Sequence, residues 1–227
     1  MTSNKLAQKE KETWIAKVNI DTLIANTGGA VSEFDLDRVR LSGGGWQAPT
    51  LEGSLANAPT LTGVIVHWRD CRAYWSSDMS SGTSAPDCFS RDSKVGVGTP
   101  GGDCTMCQYS QFGSDGGRGQ ACKLMRQLLL LQEGELIPKI VILPPTSVGP
   151  CRKYFLRLAS AGKPIWSVIT ELGIAQARNA QGITYPVATF KLVGEVPQDI
   201  TDELRNYGNV VGALISGREI TAEDYIG

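Results

Sequence analysis

A mainly β domain of the α+β class is what this 227-residue chain predicts. Three observations carry that expectation. Runs of β-branched and aromatic residues recur between short Gly, Pro and Asn signals. Helical spacing is confined to a few segments. Hydrophobic residues make up 41% of the chain, and no apolar run is long enough to span a bilayer, as suits a globular protein.

Met1 to Lys11 is polar and charged, and is expected to be loose. Trp14, Ile15, Val18 and Leu23 to Ile24 suit a short helix ending at Asn26-Thr-Gly28-Gly29. Phe34 to Leu41 alternates apolar and charged residues, the pattern of a half-buried strand. Ser42 to Gly45 is a turn, and Trp46 to Leu51 pairs back. Leu61 to Trp75 is the strongest strand signal, long enough to bend. After a Gly/Ser/Asp-rich excursion, Lys123 to Leu131 and Leu136 to Leu143 are strands, with Pro138 marking an edge or bulge. Ser147 is placed to cap a helix over about 149–161, closed by Gly162 and Pro164. Ile165 to Leu172 and Ile183 to Val193 flank a hairpin loop at Asn179 to Gly182. From about Asp199, Leu204, Tyr207, Val210, Val211 and Leu214 recur at helical spacing. Five or six antiparallel strands with one helix between the third and fourth fit an OB-like closed barrel, with a sandwich as the alternative. The expected organisation is an N-terminal extension (1–33), an OB-like domain (34–215) interrupted by a zinc-ribbon-like insertion at about 76–123, and a C-terminal tail (216–227).

Within the insertion, Cys104-Thr-Met-Cys107 is a CxxC knuckle, flanked by Cys88 and Cys122. The residues between are Gly, Ser, Asp, Pro and Thr, with little to bury, so a structural Zn2+ on four thiolates would supply the folding energy. Four cysteine ligands leave no open position for a catalytic water. Cys71 could replace Cys88, and His67 lies four residues before it, although both also fit a buried strand. Cys151 reads as a small apolar residue. The N-terminal residues lack a secretory leader, which points to the cytoplasm and to reduced thiols.

Catalysis is not expected. The chain has one histidine, no Ser/His/Asp arrangement, and a Gly96 to Gly101 match to GxGxxG that follows no strand and opens no helix. A net charge of −1 argues against binding through bulk positive charge, so any nucleic-acid contact needs a local patch. Single-strand recognition asks for flat aromatic faces with cations beside them. Trp68, Arg69, Arg72, Tyr74 and Trp75 on one strand, with Arg126, Lys139, Lys163 and Trp166 on others, are the candidates, against the alternative that the rings are core. Phe112 is expected to pack on the knuckle, and Arg118 and Lys123 to be solvated.

The run Phe34-Asp-Leu-Asp-Arg-Val, His67-Trp, Arg72-Ala-Tyr-Trp75, Pro86-Asp-Cys88, Gly102-Asp-Cys104-x-x-Cys107, Gly119-Gln-Ala-Cys122-Lys, Leu143-Pro-Pro-Thr-Ser147 and Tyr154 to Lys163 resembles a group of bacteriophage and mobile-element proteins. The resemblance covers about residues 34–193. It implies an OB-like fold, the four named cysteines as metal ligands, and a role near replication or recombination. The resulting expectation is a non-enzymatic single-stranded DNA-binding protein of the bacterial host's cytoplasm. Its acidic tail, Thr221 to Gly227, could recruit replication or recombination proteins, and self-association is left open. The rivals are an adaptor subunit without nucleic-acid contact and an RNA-binding protein. A metal-dependent nuclease would need carboxylates that the sequence does not offer.

Overall fold

The computed structural model describes residues 25–26, 35–50, 52–76, 86–180 and 182–216. The expected N-terminal helix lies outside them except for Ala25 and Asn26, which are helical, and the acidic tail lies outside them entirely. The described residues are mainly β, with one mixed sheet of eleven strands and two long helices. The strands are β1 (Arg38–Ser42), β2 (Gly45–Pro49), β3 (Leu55–Ala58), β4 (Leu61–Tyr74), β5 (Cys88–Ser90), β6 (Val95–Gly98), β7 (Gly102–Asp103), β8 (Lys123–Leu131), β9 (Lys139–Leu143), β10 (Val168–Arg178) and β11 (Thr184–Glu195). The helices are α1 (Pro145–Ser160) and α2 (Gln198–Ser216). Among the described residues no helix is long and apolar enough to cross a membrane.

The sheet runs β3-β2-β1-β9-β8-β4-β5-β6-β7, and the β10–β11 hairpin branches from the start of β4. β4 holds these parts together because it changes partner along its length. Leu61 to Gly63 pair with β10, Val64 to Ala73 with β8, and Arg72 to Tyr74 with β5. A bulge between Ile65 and His67 breaks the register in the middle. At the first change of partner, a Cβ on Gly63 would stand 2.5 Å from the Leu131 carbonyl oxygen, so only glycine lets the strands approach this closely.

Two expectations are corrected. The pairing is not wholly antiparallel, since β1 lies parallel to β9. Nor do strands close the sheet into a barrel. The outer edge of β11 is blunted: the Ala188 N–H donates to Ser147 Oγ of α1 (2.9 Å) instead of to a strand, and alternation puts Pro186, with no N–H, on the same edge. A side chain spans the gap instead. Trp46, fully buried, donates its indole N–H to the Leu172 carbonyl (3.1 Å), which fastens β2 to β10 across a core of Val39, Leu61, Ile65, Leu128, Leu130 and Val141.

Local differences have simple causes. Helix α1 starts at Pro145, because proline is pre-set for the first helical position; Ser147 therefore lies inside the first turn and its hydroxyl is spent on β11. Ile165–Ser167 is a 3-10 turn after Pro164, so β10 starts only at Val168. Pro138 stays just outside the β9 ladder. The short β3 and the small strands of the insertion carry too few apolar residues to announce themselves.

The opposite face of β4 is covered by α2. Val64, Val66, Leu129, Leu131 and Ile140 pack with Leu204, and Tyr207 donates its hydroxyl to the Leu136 carbonyl (2.8 Å). The helix sits close because of Gly208 and Gly212. A Cβ on Gly208 would meet the Val66 carbonyl oxygen at 2.0 Å, and one on Gly212 the His67 ring at 2.7 Å. Gly208→Ala, which would stabilise an isolated helix by about 1 kcal/mol, is expected to destabilise this protein by about 1–3 kcal/mol in urea unfolding through overpacking. Burial, and then the nearby Arg69, hold the His67 pKa below its ordinary 6.5. The unfolded chain therefore binds the proton first. Stability contributed by neutral His67 is complete above pH 6.5 and falls as pH drops through the lowered value. The difference in unfolding free energy between the wild type and His67→Gln, measured from pH 8 to 5, should show that slope.

Candidate metal centre and nucleic-acid interface

The insertion builds a compact lobe with hardly any apolar core. Its order comes from side chains that bond the backbone. Ser110 donates its hydroxyl to the carbonyls of Cys104 (2.6 Å) and Cys107 (2.8 Å), clasping the knuckle from below. The Cys104 N–H reaches the Lys94 carbonyl and the Cys122 N–H the Tyr109 carbonyl, each at 2.8 Å. Asp92, Asp103 and Asp115 each accept backbone amides within two to four residues of themselves, which shapes the turns.

Cys88, Cys104, Cys107 and Cys122 all line one small pocket, with Tyr74, Gly96, Gly101, Gly102, Tyr109 and Ser110. All four are free thiols, and among the described residues no carboxylate or imidazole enters. Gly96 is obligatory there, since a Cβ would lie 2.9 Å from Cys88 Sγ. Burial pushes the Cys88 thiol up, as do Cys104 and Cys107 beside it, while the Gly101 N–H acts in the opposite sense. Burial likewise pushes Cys122 up to about 11, against the pull of Arg72. Neighbouring thiols thus add to the effect of burial at Cys88 and Cys122. Among the described residues no group of three or more His, Cys, Asp or Glu side chains stands at the spacing of a bound ion. The donor chemistry fits a Zn2+ ion, whose charge would reverse the penalty on each thiolate. Cys88, Cys104, Cys107 and Cys122 would hold it, and the ion would supply folding energy. Neither alternative ligand is in place. His67 lies against α2, and Cys71 is buried with Ala73 and Phe89 on the other side of β4.

The nine residues read as a nucleic-acid surface are not one surface. Alternation along β4 puts Trp68, Asp70, Arg72 and Tyr74 on one face. Tyr74 stacks on Tyr109 of the lobe, with ring centroids 4.2 Å apart, and Arg72 lies against the Cys122 sulfur. Trp75 is half-buried against Cys71, Ala73 and Phe89. Trp166 packs into the α2 layer, with Arg205 5.8 Å from its ring. Lys139 bonds Gln132 (2.8 Å) and the Glu135 carboxylate, and Lys163 pairs with Glu195. Arg69 donates to the Gln127 side-chain oxygen (2.7 Å).

Trp68 and Arg126 do come together. Arg126, buried, grips both oxygens of Asp70 (2.7 and 2.9 Å), and its guanidinium lies 4.1 Å from the Trp68 ring centre. Phe155 of α1 flanks the same ring at 5.8 Å. Trp68 nevertheless keeps 40% of its surface exposed. It is a ring held in a fixed orientation by a clamped cation.

The helix that supplies Phe155 carries a set the sequence did not nominate. Helix α1 contains no Asp or Glu, and presents Arg152, Lys153 and Arg157 on its exposed side. Their basic character was legible. The helix that bears them reaches Trp68 through Phe155, which meets a residue 87 places earlier in the chain. The chain matches no known protein-family model, no curated protein and no solved structure.

Metal analysis of protein purified without added chelator should find one zinc per chain, and Cys104→Ser with Cys107→Ser should abolish it. On chelation, amide exchange should rise across residues 88–122 while the β4–β8 ladder stays protected. Zinc well below one per chain would rule the centre out.

Proposed function

We propose that the protein is a non-enzymatic single-stranded DNA-binding protein of a bacteriophage or mobile element, acting in replication or recombination. In this reading the curved sheet serves as an OB-type platform and a structural zinc stiffens the lobe beside it. The observation that carries the proposal is the exposed Trp68, braced by Arg126 and touched by Phe155 of α1, a helix whose solvent side carries Arg152, Lys153 and Arg157 and no carboxylate. The ring suits a base and the cations of α1 suit phosphates, and local groups of this kind need no net positive charge. One stacked base is worth about 1–3 kcal/mol, enough to give Trp68 a measurable share of the affinity.

A second reading has its own support. Tyr74, Trp75 and Trp166 are engaged by protein, and Lys139 and Lys163 are paired with carboxylates, which suits an adaptor subunit that does not touch nucleic acid. Titration of labelled oligonucleotides separates the two. A DNA binder should prefer single strands to duplex and weaken as salt rises. Replacing Arg152, Lys153 and Arg157 together by alanine should lower affinity and reduce the slope of log K against log salt by about 2, at roughly 0.7 per phosphate contact. No binding at low salt would favour the adaptor. Competition with RNA of the same sequence tests the choice of nucleic acid.

A further inference from the structure

We infer that Arg72 is a positioning residue of the metal centre: its guanidinium donates a hydrogen bond to the Cys122 sulfur and offsets the surplus negative charge that four thiolates leave around a divalent ion. This rests on the zinc reading of the four cysteines and does not depend on whether the protein binds nucleic acid. It moves Arg72 out of the nucleic-acid set and into the chemistry of the lobe. The strand register puts it there. At the end of β4, Tyr74 lies opposite Cys88 of β5, and Ala73 lies opposite Lys123 of β8, the residue after Cys122. Two ligand-bearing segments thus flank the strand, one on each side. Alternation gives Arg72 the face of Tyr74, which lines the cysteine pocket. Arg72 is not itself a lining residue, so it meets the Cys122 sulfur from outside the four ligands.

Among the described residues no carboxylate claims this guanidinium. Its Nη1 is buried and has no hydrogen-bond partner. Ser90, opposite on β5, turns its hydroxyl to Asp92 (3.1 Å), and the Leu124 side chain, opposite on β8, has no acceptor. Asp70, two places back on the same face of β4, has both oxygens held by Arg126. A half-buried cation without a carboxylate is costly on its own. Beside a group of thiolates it is matched.

The centre has a use for such a partner. Zn2+ on four thiolates keeps a surplus of negative charge, and burial makes that charge expensive. Cys107 stays partly open to water: Phe112 does not pack on the knuckle as expected but is 82% exposed, as is Met106. Cys88 is buried and meets the Gly101 N–H. Cys122, only 6% exposed, meets Arg72, a charged donor that cannot lose its proton. Groups placed this way, one step outside the ligands, orient a ligand and set how firmly the metal is held.

The test uses the full-length protein, stripped of metal and titrated with Zn2+ against a chelator of known affinity, then with Co2+, whose thiolate absorption is visible. Arg72→Met keeps an apolar stem and removes the charge and the donors. It should weaken Zn2+ binding about 10- to 100-fold, the usual cost of losing a group that supports a metal ligand. Arg72→Lys, which keeps the charge without the planar fork, should recover part of that loss. The thiolate-to-cobalt band of Arg72→Met should move to lower energy, since a sulfur without its donor gives up electron density more readily. Arg118→Met, which removes an exposed cation of the same lobe, should leave affinity and band unchanged. Metal-free Arg72→Met should melt no lower than the metal-free wild type, because it removes a buried nitrogen that has no partner. If the wild type binds Zn2+ and Arg72→Met binds it as tightly with an unmoved band, the inference is overturned and the metal centre stands. The same holds if Arg72→Met loses as much stability without metal as with it. If the wild type takes up no Zn2+, the zinc reading fails and the inference with it.

Discussion

Everything in this molecule hangs on one strand being shared. β4 gives its first three residues to β10, its middle to β8 and its end to β5, and no other described element pairs with all three. A strand can do this only if it turns as it goes. The bulge after Ile65 and the bare backbone of Gly63 provide the turn. One consequence is a division of its faces. Val64 and Val66 are covered by α2, while the face of Trp68 and Asp70 meets α1 and that of Arg72 and Tyr74 meets the cysteine lobe. Trp68 is what those covers leave in the open.

Two parts of the protein are stabilised in different ways. The sheet is a conventional apolar core, closed where strands do not meet by the indole of Trp46. The lobe has almost none of that. Its aspartates and serines hold individual turns, and four thiols face one pocket, with Arg72 approaching Cys122 as the opposing charge. Local hydrogen bonds are worth only about 1 kcal/mol each net. A metal would therefore contribute to the lobe in a way it could not to the sheet.

The cysteine pocket was legible because its signal is local: spacing, composition and the want of apolar residues all lie within 35 places. The aromatic and basic residues were a poorer guide. Trp68 and Trp75 look alike on one strand, yet one is exposed and the other half-buried against Phe89. Lys139 and Lys163 look like free cations until Glu135 and Glu195 are folded onto them. Arg126 read as a phosphate ligand, whereas Asp70 and the Trp68 ring have already claimed it.

The sequence by itself determined where the longer strands and the two long helices lie, since periodicity and proline act within a few residues, and it marked the four cysteines that line one pocket. Tertiary structure alone decided that β1 would lie parallel to β9, that Ser147 and Pro186 would stop the sheet from closing, and that α1 would bring Phe155 against Trp68. Those outcomes turn on which surfaces meet across many tens of residues, where each contact competes with others of nearly equal worth and only the assembled chain selects among them.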